Sequence, residues 1–163
     1  MSGGMGKDRI PSIHQPRFVA VAQADGLAAT EPVVGLTVNG ESRAYPLPVL
    51  IRHKNVNGVI AGVPVAVTFC PLCNAAVVFG RRVAGQTLEF GTTGKRRYSD
   101  QVMRDRQSES WWQPFTGEVI IGRMKGLKLR FLLARLESFP KFKAVRRGAK
   151  SWSSATQASA TMA

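Results

Sequence analysis

The chain has 163 residues, 44% of them hydrophobic, with 16 glycines, 9 prolines and a formal net charge of +13. This length supports one domain with its own core, and the apolar, turn-rich composition excludes a disordered chain. No apolar run approaches the ~20 residues of a membrane-spanning helix. The N-terminus lacks the basic start and apolar stretch of a signal peptide, so the chain as written reads as cytoplasmic. Charge is unevenly placed: between residues 122 and 150, Lys and Arg outnumber acids ten to one. Such a stretch is a non-specific phosphate binder or a solvated appendage. Without an RNA-binding signature, no specific nucleic-acid partner is expected.

Residues 1–30 read as mostly irregular, because Gly3, Gly4, Gly6, Pro11 and Pro16 interrupt any period, with a short strand beginning at Phe18. His14 reads as loop surface. Residues 33–45 carry the best hairpin signal: Asn39-Gly40 tolerates the positive φ of a type I′ turn, and Val34, Leu36 and Val38 share one face. A helical turn beginning at Pro46 places His53 at its end. Asn57-Gly58 and Ala61-Gly62 read as turns around a short Val59-Ile60 strand. Two apolar strands then flank Cys70-Pro-Leu-Cys73, which holds both cysteines of the chain on a tight turn.

Beyond them, residues 81–85 read as a turn, Thr87-Leu-Glu-Phe as a return strand, 91–101 as loop, Val102–Arg106 and Glu118–Ile121 as strands. Residues 127–136 fit both strand and helix periods. The pattern predicts a mainly β fold (α+β with minor helix), an antiparallel meander or barrel-like single domain over residues 5–137. Residues 138–163, basic and then rich in Ser, Ala and Thr, read as a disordered tail.

Several separate segments appear in one order: Lys7-Asp-Arg-Ile-Pro-Ser-Ile, Glu31-Pro-Val-Val-Gly, Val38-Asn-Gly-Glu-Ser-Arg-Ala-Tyr-Pro-Leu, Gly62-Val-Pro-Val-Ala-Val-Thr-Phe-Cys-Pro-Leu-Cys, Asp105-Arg-Gln-Ser-Glu-Ser-Trp and Thr116-Gly-Glu. Together they resemble domain-of-unknown-function family 3179 over residues 2–136; the tail after Phe139 does not. The resemblance implies relatives that are longer at both ends and often exported, so this chain looks like a truncated or altered copy. It implies no reaction, but marks His53 and the Cys-x-x-Cys turn as site residues. Around His53 the family pattern has an aromatic residue before and an acid after, where this chain has Arg52 and Lys54. Asn74 stands where glycine is common.

Four chemistries fit Cys70 and Cys73. They can chelate zinc or copper, with His53 as a third ligand, although a closed structural zinc site uses four. They can act as a thiol-redox pair, although the residues after Cys73 suit a strand rather than the long helix of a thioredoxin fold. Cys70 or Cys73 can be a nucleophile with His53 as base. Finally, they can be a turn-stapling disulfide or packed thiols in a non-catalytic structural or interaction domain. A second polar cluster, Asp105, Arg106 and Glu109, is a candidate pocket with Arg43 and Tyr45, against the plainer reading of a solvated strand face with an ion pair. No Ser-His-Asp order or phosphate-binding glycine loop is present.

Overall fold

The computed structural model describes residues 1–24, 26–146 and 148–152. Strands β1 (Ser2–Gly3), β2 (Ile13–His14) and β3 (Phe18–Ala20) are short, as the interrupting glycines and prolines require. β4 (Pro32–Val38) and β5 (Glu41–Pro46) form the expected hairpin, and Asn39 and Gly40 take φ values of 47° and 81°. Helix α1 (Leu47–His53) follows, with Pro48 in its first turn, where a missing N–H leaves no helical bond unmade. β6 (Asn55–Ile60), β7 (Val63–Cys70) and β8 (Ala75–Gly80) form an antiparallel meander, with both cysteines at the tip of the second hairpin.

β9 (Arg82–Val83) and β10 (Gln86–Thr87) make a small hairpin. A second meander follows: β11 (Phe90–Arg97), β12 (Asp100–Asp105), β13 (Trp111–Gln113) and β14 (Glu118–Ile121). The chain then resolves its ambiguous stretch as strands, β15 (Phe131–Leu132) and β16 (Ala134–Ser138), before helix α2 (Phe139–Val145) and β17 (Lys150–Trp152).

These strands build three five-stranded open sheets rather than a closed barrel. The central sheet runs β15-β8-β7-β6-β2, and both its faces are covered. On one face Val56, Val65, Val67, Phe69 and Val78 pack with Leu36, Tyr45 and Trp152 of the sheet β16-β4-β5-β17-β3. On the other, Ala66 and Phe79 pack with Phe90, Met103 and Trp112 of the sheet β1-β11-β12-β13-β14. This explains why β7 is a nearly unbroken apolar run: a strand buried on both faces has no solvent side to make polar. Most pairs are antiparallel, with parallel exceptions at β2–β6 and β17–β5. Among the described residues no helix is long and apolar enough to cross a membrane.

Several segments differ from the sequence reading, among them His14, which lies half-buried in β2 rather than on a surface loop. Residues 91–97, expected as loop, are strand; Thr92 and Thr93 look polar but are buried, their hydroxyls donating to the Ile10 and Val102 carbonyls. Asn57-Gly58, expected as a turn, lies inside β6. The buried Asn57 carboxamide accepts from Phe90 N–H and donates to Phe90 C=O, both at 2.8 Å. It thereby ties β11 to β6 as a neighbouring strand would.

The basic stretch after residue 137 is folded as far as Trp152. Phe139 and Phe142 bury against Val33 and Ala44 on the outer face of the third sheet, while Trp152 enters the core beside Tyr45 and Phe18. The charges stand between these anchors and mask a narrow apolar face. The Ser/Ala/Thr-rich end expected as disordered lies, beyond Trp152, outside the described residues.

Phe142 is fully buried, so Phe142→Ala is expected to destabilise the chain by about 3 kcal/mol in urea unfolding. An appended tail would give less than about 0.5 kcal/mol. Asn57→Ala, which leaves the two Phe90 backbone groups without partners, is expected to cost about 2–4 kcal/mol. An unchanged unfolding midpoint would contradict the role assigned to that carboxamide.

Candidate metal centre

The Cys-x-x-Cys sequence sits on a four-residue hairpin loop. Cys70 is the last residue of β7 and pairs with Ala75, the first of β8. Within the loop, Cys73 N–H donates to the Cys70 carbonyl at 3.2 Å, and Asn74 takes a positive φ of 47° that asparagine tolerates. The turn folds the two side chains together: both cysteines are free thiols and their sulfurs are 2.9 Å apart. Cys70 is buried and Cys73 partly exposed.

The β11–β12 hairpin meets this turn. Tyr98 and Ser99 at its tip have φ values of 52° and 64°, the positive angles of a two-residue I′ turn. That geometry aims the Ser99 carbonyl at the thiols, which donate to it at 3.3 Å from Cys73 and 3.7 Å from Cys70. The next residue, Asp100, is fully buried and places a carboxylate oxygen within 4.8 Å of both sulfurs. Asp100 Oδ2 accepts from Phe115 N–H at 3.2 Å, whereas Oδ1 has no hydrogen-bond partner. Cys70, Cys73 and Asp100 therefore lie close enough to bind a metal ion.

Burial raises the Asp100 carboxyl above its ordinary pKa, against the hydrogen bonds it accepts. Cys73 is pushed up to about 12 by desolvation, by its hydrogen bond and charge coupling to Cys70, and by the Asp100 charge. The Cys73 thiol is thus protonated at neutral pH in the ion-free cluster. A thiolate nucleophile at Cys73 would need the opposite shift.

His53, the third ligand expected from sequence, lies elsewhere in its hydrogen bonding. It is buried at the end of α1, and its Nδ1–H donates to the Pro11 carbonyl at 2.9 Å. Among the described residues it is not in the converging ligand group. Asp100 takes that place. It fell in the stretch read as loop, and Tyr98-Ser99 carries none of the Asn, Asp or Gly that mark a type I′ turn.

The second expected pocket is divided between sheets. Arg43 pairs with Glu41 at 2.7 Å and lies over Phe18, while Tyr45 is core with its hydroxyl unpartnered. Asp105 instead accepts from Trp112 Nε1–H at 2.8 Å and from Ser108 at 2.7 Å. Glu109 joins Lys7 and Arg104, and Arg106 reaches Asp8 at 3.6 Å. Among the described residues no ion pair or hydrogen bond joins the two sets.

Neither a curated protein nor a solved structure matches the chain. The family described as "Protein of unknown function (DUF3179)" matches residues 7–159, extending through α2 and β17 and past the 2–136 span of the sequence resemblance. That match covers nearly the whole chain, which belongs to the DUF3179 family.

Proposed function

We propose that this chain is a metal-binding module that holds a divalent ion between Cys70, Cys73 and Asp100. The supporting observation is the meeting of two sulfurs, a buried carboxylate and the Ser99 carbonyl at one point. Once the thiols ionise these groups repel one another, and a cation removes the repulsion. Two thiolates with one carboxylate suit zinc; calcium and magnesium take oxygen ligands, and copper(I) favours sulfur-only sets. Three protein ligands leave a coordination position open, the arrangement of catalytic rather than closed structural zinc sites. In this reading His53 acts outside the ligand set, tying the end of α1 to the N-terminal segment through Pro11.

The sulfur separation of 2.9 Å favours a second reading, in which the thiols oxidise to a disulfide that staples the turn. Forming it releases two protons and two electrons, taken up by an acceptor such as glutathione disulfide. Asp100 separates the two readings, because a disulfide has no use for the carboxylate.

Protein purified anaerobically is expected to carry about one zinc per chain, and the Cys70→Ser/Cys73→Ser double variant none. Asp100→Asn is expected to weaken zinc binding roughly tenfold or more. Metal no higher in the wild type than in the double variant would rule the reading out. Unchanged zinc affinity in Asp100→Asn, with ready disulfide formation, would favour the staple instead.

Zinc affinity is also expected to rise with pH. The ion takes a thiolate, Cys73 holds its proton up to about 12 without metal, and binding releases that proton. Affinity therefore gains about tenfold per pH unit from this group alone. A titration at pH 6 and pH 8 showing equal affinity would contradict thiolate ligation.

A further inference from the structure

Beside the Cys-x-x-Cys turn lies a cavity of about 530 Å³, lined in part by Cys70, Lys54, Lys95 and Arg96. This is within the range of sites that take small organic ligands. Three cations line it and no acid does; among the described residues none of the three is in an ion pair, and the Lys54 ammonium donates to the Ile51 carbonyl. The rest of the wall is largely apolar, from Met5, Ile10, Leu72 and Val102. The cavity thus has a cationic part and an apolar part.

The Lys54 backbone is tightly held. Lys54, directly after α1, has φ 65° and ψ −45°, a conformation a non-glycine residue adopts only under restraint. The restraint is visible: its N–H donates to the Leu50 carbonyl at 2.8 Å and its carbonyl accepts from Phe69 N–H at 2.9 Å. Lys54 is thereby pinned between the helix end and β7, the strand that ends in Cys70. Burial lowers the Lys54 pKa, the Cys70 charge opposes that fall and Arg96 adds to it; an anion bound between the cations would relieve both costs. The opposite wall depends on Gly94, in β11, where a Cβ would collide with the Met5 carbonyl.

We propose that this cavity binds an amphipathic organic anion, with a carboxylate or phosphate head between Lys54 and Arg96 and an apolar body against Leu72 and Val102. The site stands on its own cations and does not require the metal. Its nearness to Cys70 places the anion's head beside the proposed centre.

Calorimetric titration of the full chain with octanoate, octyl phosphate and octanamide tests the pocket. At least one anion is expected to bind about tenfold tighter than the amide, the worth of a charge-assisted hydrogen bond, and the tighter head identifies its source. Arg96→Gln and Lys54→Gln are each expected to remove most of that preference while leaving octanamide binding and the urea midpoint unchanged. Binding of both anions no tighter than octanamide, no binding of any probe, or a wild-type preference kept by either variant would overturn the proposal. Metal content measured on the same samples keeps the outcome separate from that of the zinc reading: zinc retained with no anion preference refutes the pocket alone.

Discussion

The Asn57 carboxamide makes two buried hydrogen bonds to the Phe90 backbone, each at 2.8 Å, and the placement of the site depends on them. β6 has β7 and β2 as its strand neighbours, and the side chain offers β11 a donor and an acceptor in place of another strand. Asn55, two residues earlier on the same strand face, adds a longer contact by accepting from the Gln101 amide at 3.4 Å. Together these asparagines align the start of β11 and of β12 with the central sheet. The tip between those strands, Tyr98 to Asp100, then falls over the tip between β7 and β8. Two hairpins from different sheets meet because polar side chains inside the core fix their relative position.

At that meeting point the fold gathers groups that attract a cation. The β7–β8 loop folds two sulfurs toward one another, and the I′ turn of the facing hairpin adds a carbonyl and a buried carboxylate. Burial of Asp100, with one oxygen unpartnered, is costly for a carboxylate and raises its pKa. That cost is held down while Cys73 keeps its proton. Replacing that proton with a divalent ion would exchange an S–H···O contact for stronger ligation. Lys54 and Arg96 line one cavity with Cys70; their positive charge would offset the excess negative charge that two thiolates and a carboxylate leave around a divalent ion.

The sequence made some of this legible and hid the rest for physical reasons. β7 was readable because a strand covered on both faces is apolar at nearly every position, and the Asn39-Gly40 hairpin because its turn chemistry is local. The cysteines were readable by spacing. Asp100 was not, since its partners lie 27 and 30 residues back along the chain and nothing local distinguishes it from any acid after a turn. Asn57 was misread for a related reason. Asn-Gly is a turn signal only when the backbone needs positive φ, and here the asparagine is spent on a long-range contact within a strand. Phe139, Phe142 and Trp152 were hidden by the lysines and arginines around them, which dominate composition while three aromatic anchors decide the packing.

X-ray absorption at the zinc edge, on protein purified without added metal, tests the centre most directly. Two sulfur scatterers at ~2.3 Å and one or two oxygen scatterers at ~2.0–2.2 Å are expected, with the sulfur shell lost in the Cys70→Ser/Cys73→Ser variant. A first shell made only of nitrogen and oxygen, or a spectrum unchanged in that variant, would contradict metal binding by these two cysteines and Asp100.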